Sequence, residues 1–174
     1  AGTGDLSFDV LHKLPQTTTI AADFTTAMMD VGRQRQRGTQ VHWSCVDALQ
    51  IPFPEKTFEA VISGFLLRNV IDLPKTLAEQ YRVLKPGGMM VALDTTRPSD
   101  NLLSPFIRLH MNTVVPLLGR LLTGQVDAYT YLPDSSTHFL RAEELADRMI
   151  AAGFREVGFQ RRMFGVIAIH WGKK

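Results

Sequence analysis

The chain has 174 residues, 45% of them hydrophobic and 21% charged, with 13 Gly, 9 Pro and a single cysteine, Cys45. That length holds one domain, and the apolar fraction excludes a disordered or low-complexity chain. Nineteen basic against 17 acidic residues exclude the strongly basic balance of a dedicated nucleic-acid binder, and one cysteine excludes an internal disulfide or a Cys-rich zinc site and indicates a reducing compartment.

The chain opens on a glycine turn, Ala1-Gly2-Thr3-Gly4-Asp5, after which Leu6, Val10, Leu11 and Leu14 recur at helical spacing until Pro15. Thr17 to Ala22 is β-branched and uncharged and reads as a buried strand ending at Asp23. Thr25 caps a helix running to about Gln36, with Gly38 as its stop. Val41 to Val46 is a second strand, ending at Asp47. The prolines of Ile51-Pro52-Phe53-Pro54 exclude ladder and helix alike, so a loop leads to a continuous apolar strand from Phe58 to Gly64. Pro74 suits a first helical turn, with Leu77, Tyr81 and Leu84 on one face behind it. Lys85-Pro86-Gly87-Gly88 is a turn, and Met89 to Leu93 a strand ending at Asp94.

Between Ser99 and Gly124, apolar pairs such as Leu102/Leu103, Phe106/Ile107 and Leu121/Leu122 indicate helices with a broad apolar face, kinked near Pro116. No apolar run approaches the roughly 18 residues that span a bilayer. Glu143 to Ala152 is a helix closed by Gly153. Two strands follow, near Glu156–Arg162 and Phe164–Trp171, too close for a crossover helix, so they pair antiparallel at one edge. Strands alternating with short helices predict an α/β fold with a mostly parallel sheet.

In such a sheet, ligands bind at the carboxyl ends of the strands. Gly2-Thr3-Gly4, Asp23, Asp47 and Gly64 stand in those places. The glycines permit a tight turn and close backbone approach, and Asp5 suits capping amides or meeting a ligand ammonium group. Asp23 follows the glycines by about 20 residues, where a carboxylate accepts both hydroxyls of a ribose. Asp47 suits an adenine amino group. A plain turn, a helix cap and a loop cap are the bland alternatives, but three features on consecutive strands outweigh them. Ser7 stands where a dinucleotide site needs a third glycine, which disfavours NAD(P) and favours a nucleoside ligand without pyrophosphate, S-adenosylmethionine (AdoMet) foremost.

These residues resemble the ubiquinone/menaquinone-biosynthesis C-methyltransferases, a branch of the class I AdoMet-dependent methyltransferases. The stretches that carry the resemblance are the opening turn, Ala22-Asp23-Phe24 with Met28, Asp47-Ala48 with Ile51-Pro52-Phe53-Pro54, and Leu67-Arg68-Asn69-Val70. Tyr81 to Gly88, Asp127-Ala128-Tyr129 with Tyr131-Leu132-Pro133, and Ile167-Ala168-Ile169-His170 complete it. The resemblance implies a Rossmann-like sheet in a single domain over 1–174, with a helical lid insertion at about 99–124.

It also implies that Gly2, Thr3, Gly4 and Asp5 face the methionine part of AdoMet, Asp23 with Phe24 the ribose, Asp47-Ala48 the adenine, and Gly64 the cofactor through its backbone. The family methylates a ring carbon of a polyprenylated quinol. Such chemistry needs the methyl carbon in line with an electron-rich ring carbon and a ring hydroxyl that ionises. Arg68 is the candidate for stabilising the phenolate, Asn69 for orienting a hydroxyl or water, and Tyr129 with Asp127 for the acceptor side. Arg68 does not readily lose its proton, so a base role would run through water.

The lid suits a lipid substrate or a surface resting on the membrane, and equally a cover packed on the domain or on a second copy in a homo-oligomer. The implied location is the cytoplasm, peripheral at the inner membrane, on the matrix side in a eukaryote. The five histidines show no ligand spacing, so no metal is expected. His170 reads as hydrogen-bonded in place, Met28, Met29, Met111 and Met149 as core filler, and Arg33, Arg35 and Arg37 as a solvated helix end.

Leu66, Thr130 and Phe164 stand where the family usually has Gly, Arg and Gly, which leaves the ring identity open. Another phenolic or lipid acceptor and a non-catalytic scaffold of a quinone-synthesis complex are the alternatives. In the family the glycine turn follows a central first strand, so the resemblance further implies that this strand lies upstream of Ala1 and that the chain is N-terminally truncated.

Overall fold

The computed structural model describes residues 1–35, 38–97 and 139–174. The 99–124 insertion, Met111, Asp127, Tyr129 and Thr130 lie outside the described residues. The elements are α1 (Asp5–Lys13), β1 (Ile20–Asp23), α2 (Thr26–Arg33), β2 (His42–Cys45), β3 (Phe58–Gly64), α3 (Leu73–Val83), β4 (Leu84–Thr95), α4 (Ala142–Ala151), β5 (Arg155–Arg162) and β6 (Ile167–Lys173).

β1 and β2 run parallel, with Asp23 opposite Cys45. A second sheet has the order β3-β4-β6-β5. Its β3–β4 pair is parallel, whereas β6 runs antiparallel to both β4 and β5. The described strands thus make a mixed α/β architecture, and its antiparallel part is the C-terminal hairpin. Only β5 of that hairpin is an edge strand, because β6 inserts between β4 and β5. Among the described residues, β1 and β3 each pair along one edge only.

The main core lies on one face of the four-stranded sheet. Alternate residues Met90 and Ala92 of β4 point there, and Leu77 of α3 and Leu145 and Met149 of α4 cover them. Period 2 on the strand meets period 3.6 on the helices, and the shared apolar stripe drives the packing. The opposite face is less covered: Ile62 of β3 is 47% exposed. A second, smaller core seats α1 on the β1–β2 pair through Leu11, Ala21 and Val41, with Phe8 and Trp43 against them.

Helix starts follow local chemistry. Asp72 caps α3, accepting the Lys75 amide at 2.9 Å, and Pro74 sits in the first turn. Glu144 of α4 reaches back to the Arg141 amide at 2.8 Å.

Several boundaries differ from the sequence reading. β1 begins at Ile20 because the Thr17 amide is spent on the Leu14 carbonyl at 3.0 Å, closing the turn after α1. α2 ends at Arg33, and Thr25 precedes it without a side-chain cap. Gly38 is needed for closeness: a Cβ there would lie 2.1 Å from the Arg33 carbonyl oxygen. Lys85 to Gly88 does not end a separate element. It forms a bulge inside β4, where the register jumps from Phe58↔Leu84 to Ala60↔Met89. Lys174 holds that bulge, donating its amide to Gly88 and accepting that of Gly87. Phe164 is not in a strand but in a tight turn over Met163–Gly165, and β6 starts at Ile167. Met29 and Met149 are buried, as core filler should be, but Met28 is exposed.

Candidate functional site

The glycine turn is built by two left-handed residues, Gly2 at φ 55° and Gly4 at φ 87°, and closed by the Gly4 amide donating to the Ala1 carbonyl at 2.9 Å. Such φ values favour glycine. Asp23, at the carboxyl end of β1, grips this turn. Its Oδ2 accepts the Gly2 amide at 2.7 Å and the Ala1 amino group at 2.6 Å, while Oδ1 accepts the Thr25 amide at 2.9 Å. Burial opposes ionisation of Asp23, but the Gly2 amide, the Ala1 amino group and the Thr25 amide outweigh it and hold its carboxyl at about 2.

On the other side of the turn, Thr3 donates its hydroxyl to Asp5 Oδ2 at 2.8 Å. Arg35 donates from Nη1 to Asp5 Oδ1 at 2.5 Å and to the Thr3 carbonyl at 3.2 Å. Its guanidinium also lies 4.6 Å from the centre of the Phe8 ring. Asp5 is therefore held below the ordinary carboxylate range, chiefly by Arg35. It does not cap α1, whose N-cap Gly4 has no side-chain cap. Arg35 is thus a brace on the glycine turn and no solvated helix end. The sequence carries no local sign of this, because the two partners stand 30 residues apart.

Asp47 lies just beyond β2 and bends its own loop, accepting the Leu49 amide at 2.8 Å on its side chain. Ala48 shares that loop. Phe24 follows Asp23 with its ring 75% exposed. Gly64 ends β3 in close contact with α1: a Cβ there would lie 3.1 Å from Leu6 Cδ1. The structure therefore brings Gly2, Thr3, Gly4, Asp5 and Asp23 together through direct bonds, with Asp47 on the neighbouring strand end.

Arg68 and Asn69 form a second group, on the turn Leu67–Asn69 after β3. Arg68 Nη1 donates to Asp94 Oδ1 at 3.0 Å, and both side chains are almost fully buried. Asn69 Nδ2 donates to the Phe65 carbonyl at 2.9 Å, which secures the turn and leaves its carbonyl oxygen for another partner. Asp94 was legible in sequence only as a strand end.

The residues present suit a nucleoside ligand. The left-handed glycines leave the turn without side chains, with only Met28 Cε near a Cβ built at Gly2. Asp23 accepts the Gly2 amide on Oδ2 and the Thr25 amide on Oδ1, and a carboxylate with roughly four acceptor positions has capacity left for a ribose hydroxyl. Among the described residues, no His, Cys, Asp and Glu side chains gather into a metal-holding group. Among the same residues, no helix is long and apolar enough to cross a membrane.

Residues 1–174 match the ubiE/COQ5 methyltransferase family. The chain is 43% identical over 173 residues to the ubiquinone/menaquinone biosynthesis C-methyltransferase UbiE of Desulfotalea psychrophila, covering 99% of this chain and 70% of that protein. It is 39% identical to the demethylmenaquinone methyltransferase of Thermus thermophilus, covering 99% and 79%. Among solved structures, the [4+2]-cyclase SpnF superposes with a TM-score of 0.71 at 17% identity, over 99% of this chain and 71% of that one. A possible histamine N-methyltransferase from Thermotoga maritima superposes with a TM-score of 0.65 at 22% identity, over 99% and 78%. These two likenesses show the fold. With a full-length family match, close relatives that are methyltransferases and a strand-end site to suit, this chain belongs to the ubiE/COQ5 methyltransferase family.

Proposed function

We propose that the protein transfers the methyl group of AdoMet to a ring carbon of a polyprenylated quinol. The observation that carries the reading is the glycine turn clamped by Asp23 at the carboxyl end of β1, with the Arg68–Asn69 turn at the corresponding end of β3. The names of the Desulfotalea and Thermus relatives support the quinol as acceptor class.

Gly2, Thr3, Gly4 and Asp5 bound the methionine end of the cofactor. Asp23 with Phe24 takes the ribose, Asp47 and Ala48 the adenine, and Gly64 a backbone contact. When bound, AdoMet supplies an electrophilic methyl carbon. The protein's own task is orientation and charge. Arg68 offers its guanidinium to the ring oxygen as it becomes a phenolate, and Asn69 orients a hydroxyl or water through its free carbonyl oxygen. Tyr129, outside the described residues, is a further candidate for the acceptor side. The ring carbon that takes the methyl group sheds its proton to water, because Arg68 stays protonated. The prenyl chain calls for an apolar reception, and the apolar pairs in the sequence of the 99–124 segment make it the candidate for that role.

Calorimetry with AdoMet tests the cofactor, with micromolar binding expected and no heat excluding the reading. Mass spectrometry of demethylmenaquinol, a demethoxy-quinol and a simple phenol after incubation with AdoMet tests the acceptor. A methylated phenol with both quinols untouched would replace the quinol assignment.

A further inference from the structure

We propose that Asp94, the residue near the end of β4, is a positioning residue of the acceptor side: it fixes the Arg68 guanidinium so that its Nε side faces the acceptor oxygen. The proposal rests on the reading of Arg68 given above.

The Asp94 side chain is 1% exposed, yet it meets three donors. Oδ1 accepts Arg68 Nη1 at 3.0 Å and the Thr95 amide at 2.8 Å, and Oδ2 accepts the Arg68 amide at 3.3 Å. Two of these donors are main-chain groups on two different elements, so the carboxylate does not swing. It ties the turn after β3 to the end of β4 and holds one side of the guanidinium.

A second restraint acts on the flat of that guanidinium. Arg68 Cζ lies 4.8 Å from the centre of the Phe65 ring. Phe65 is itself held in a left-handed conformation, φ 55°, with its carbonyl pinned by Asn69 and its amide donating to the Leu93 carbonyl at 2.7 Å. A guanidinium lying over a ring and bonded at one nitrogen is restrained in its rotation.

What remains is telling. Arg68 Nε is buried and meets no acceptor among the described residues. A buried N–H on a charged group is costly without a partner. Among the described residues the geometry therefore leaves the buried Arg68 Nε–H without an acceptor, a place for an oxygen from outside them. A phenol or phenolate oxygen on the acceptor ring has that chemistry, and a fixed charged donor strengthens as the oxygen becomes anionic.

The test uses the intact protein and four variants: D94N, D94E, R68Q and D94N/R68Q. AdoMet affinity is read by calorimetry, and kcat and KM are read with demethylmenaquinol. D94N is expected to lower kcat on the order of 100-fold, the cost of a misplaced group, with AdoMet affinity and acceptor KM unchanged. D94E recovers part of kcat, and D94N/R68Q is no slower than R68Q, because a positioning residue has nothing left to position. Wild-type kcat in D94N overturns the proposal, as do D94N and R68Q losses that multiply in the double variant. If D94N alone does not fold, the comparison of D94N/R68Q with R68Q, in which both charges go together, decides by the same rule. Wild-type kcat in R68Q removes the reading of Arg68 and the proposal with it, whereas a slow R68Q beside a normal D94N removes the proposal alone.

Discussion

Asp23 Oδ2 accepts the amide of Gly2 at 2.7 Å, so the acid that ends β1 also holds the turn that opens the chain. In the cofactor reading proposed above, one carboxylate both holds the turn and meets the ribose. Replacing Asp23 by Asn exchanges one acceptor oxygen for a donor that faces the Gly2 amide. A hydrogen bond to a charged group contributes about 1.5–3 kcal/mol, so AdoMet affinity should fall roughly 10- to 100-fold. Calorimetry measures this directly, and an Asp23→Ala variant that binds as well as the parent protein would rule out the ribose assignment. The depressed carboxyl, at about 2, also sets a pH window. A lowered carboxylate stabilises the fold fully above its unfolded value of about 3.9 and ceases to do so as pH falls through about 2. Asp23 therefore contributes no slope to stability or affinity between pH 5 and 8.

Such a slope should come from His170 on β6. Its Nε2 lies 2.9 Å from the Ala142 carbonyl, to which it donates, and its Nδ1 is buried without a partner among the described residues. Burial pushes its pKa below the ordinary histidine value of 6.5, and protonation would place a second donor where the described residues offer no acceptor. The unfolded chain then binds more protons than the folded one just below pH 6.5. Stability is full above that pH and falls as pH drops toward the lowered folded value. Thermal melts at pH 7.5 and 5.5 should show a lower Tm at 5.5, and His170→Gln should shrink the difference. An equal Tm difference in that variant would exonerate His170.

How much of this was legible in sequence depends on the range of the interaction. The β3 strand, Phe58–Gly64, and the strand-end acids Asp23 and Asp47 were readable, because apolar runs and the residues that end them are local signals. Arg35 looked like a helix end because its partner Asp5 stands 30 residues earlier, where no local pattern announces the pair. The Arg68–Asp94 pair spans 26 residues and two strands, so only the sheet register reveals it. Pro86-Gly87-Gly88 reads as a turn by composition, but contacts with Lys174 turn it into a bulge in a longer strand. Local chemistry set the elements, and partners distant in sequence set their edges and charges.

Packing around the turn gives a third expectation. A Cβ on Gly32 of α2 would lie 2.2 Å from Trp43 Cη2 and 2.8 Å from the Thr3 carbonyl oxygen, and one on Gly4 would lie 2.6 Å from the same Cη2. Trp43 is not free to retreat, since Nε1 donates to the Gly38 carbonyl at 2.9 Å and its ring packs edge-on against Phe8. Overpacking costs about 1–3 kcal/mol and alanine gains ~1 kcal/mol in a helix, so Gly32→Ala should destabilise by a net of up to about 2 kcal/mol. That corresponds to a Tm loss of roughly 2–4 °C per kcal/mol for a chain of this size. In a Trp43→Phe background, which removes the benzo edge, the same substitution should cost less. Additive losses in the double variant would show that Trp43 is not the obstacle.

Phe164, in the turn between β5 and β6, offers a last expectation. It lies there at φ 58°, ψ 23°, with its side chain 89% exposed. The turn sits beside the end of β4, where the Thr96 amide donates to the Val166 carbonyl at 3.0 Å. A bulky side chain in the left-handed region costs on the order of 1–2 kcal/mol, and an exposed ring recovers little of it by burial. Glycine relieves that strain but gives up about 0.5–1 kcal/mol of unfolded-state entropy, so the two effects nearly cancel. Phe164→Gly should thus leave Tm unchanged or slightly raised. If the ring meets the acceptor at this end of the sheet, KM for a long-chain prenylated quinol rises while AdoMet affinity stays constant. A Tm loss of several degrees would instead show that the ring is part of the packed fold.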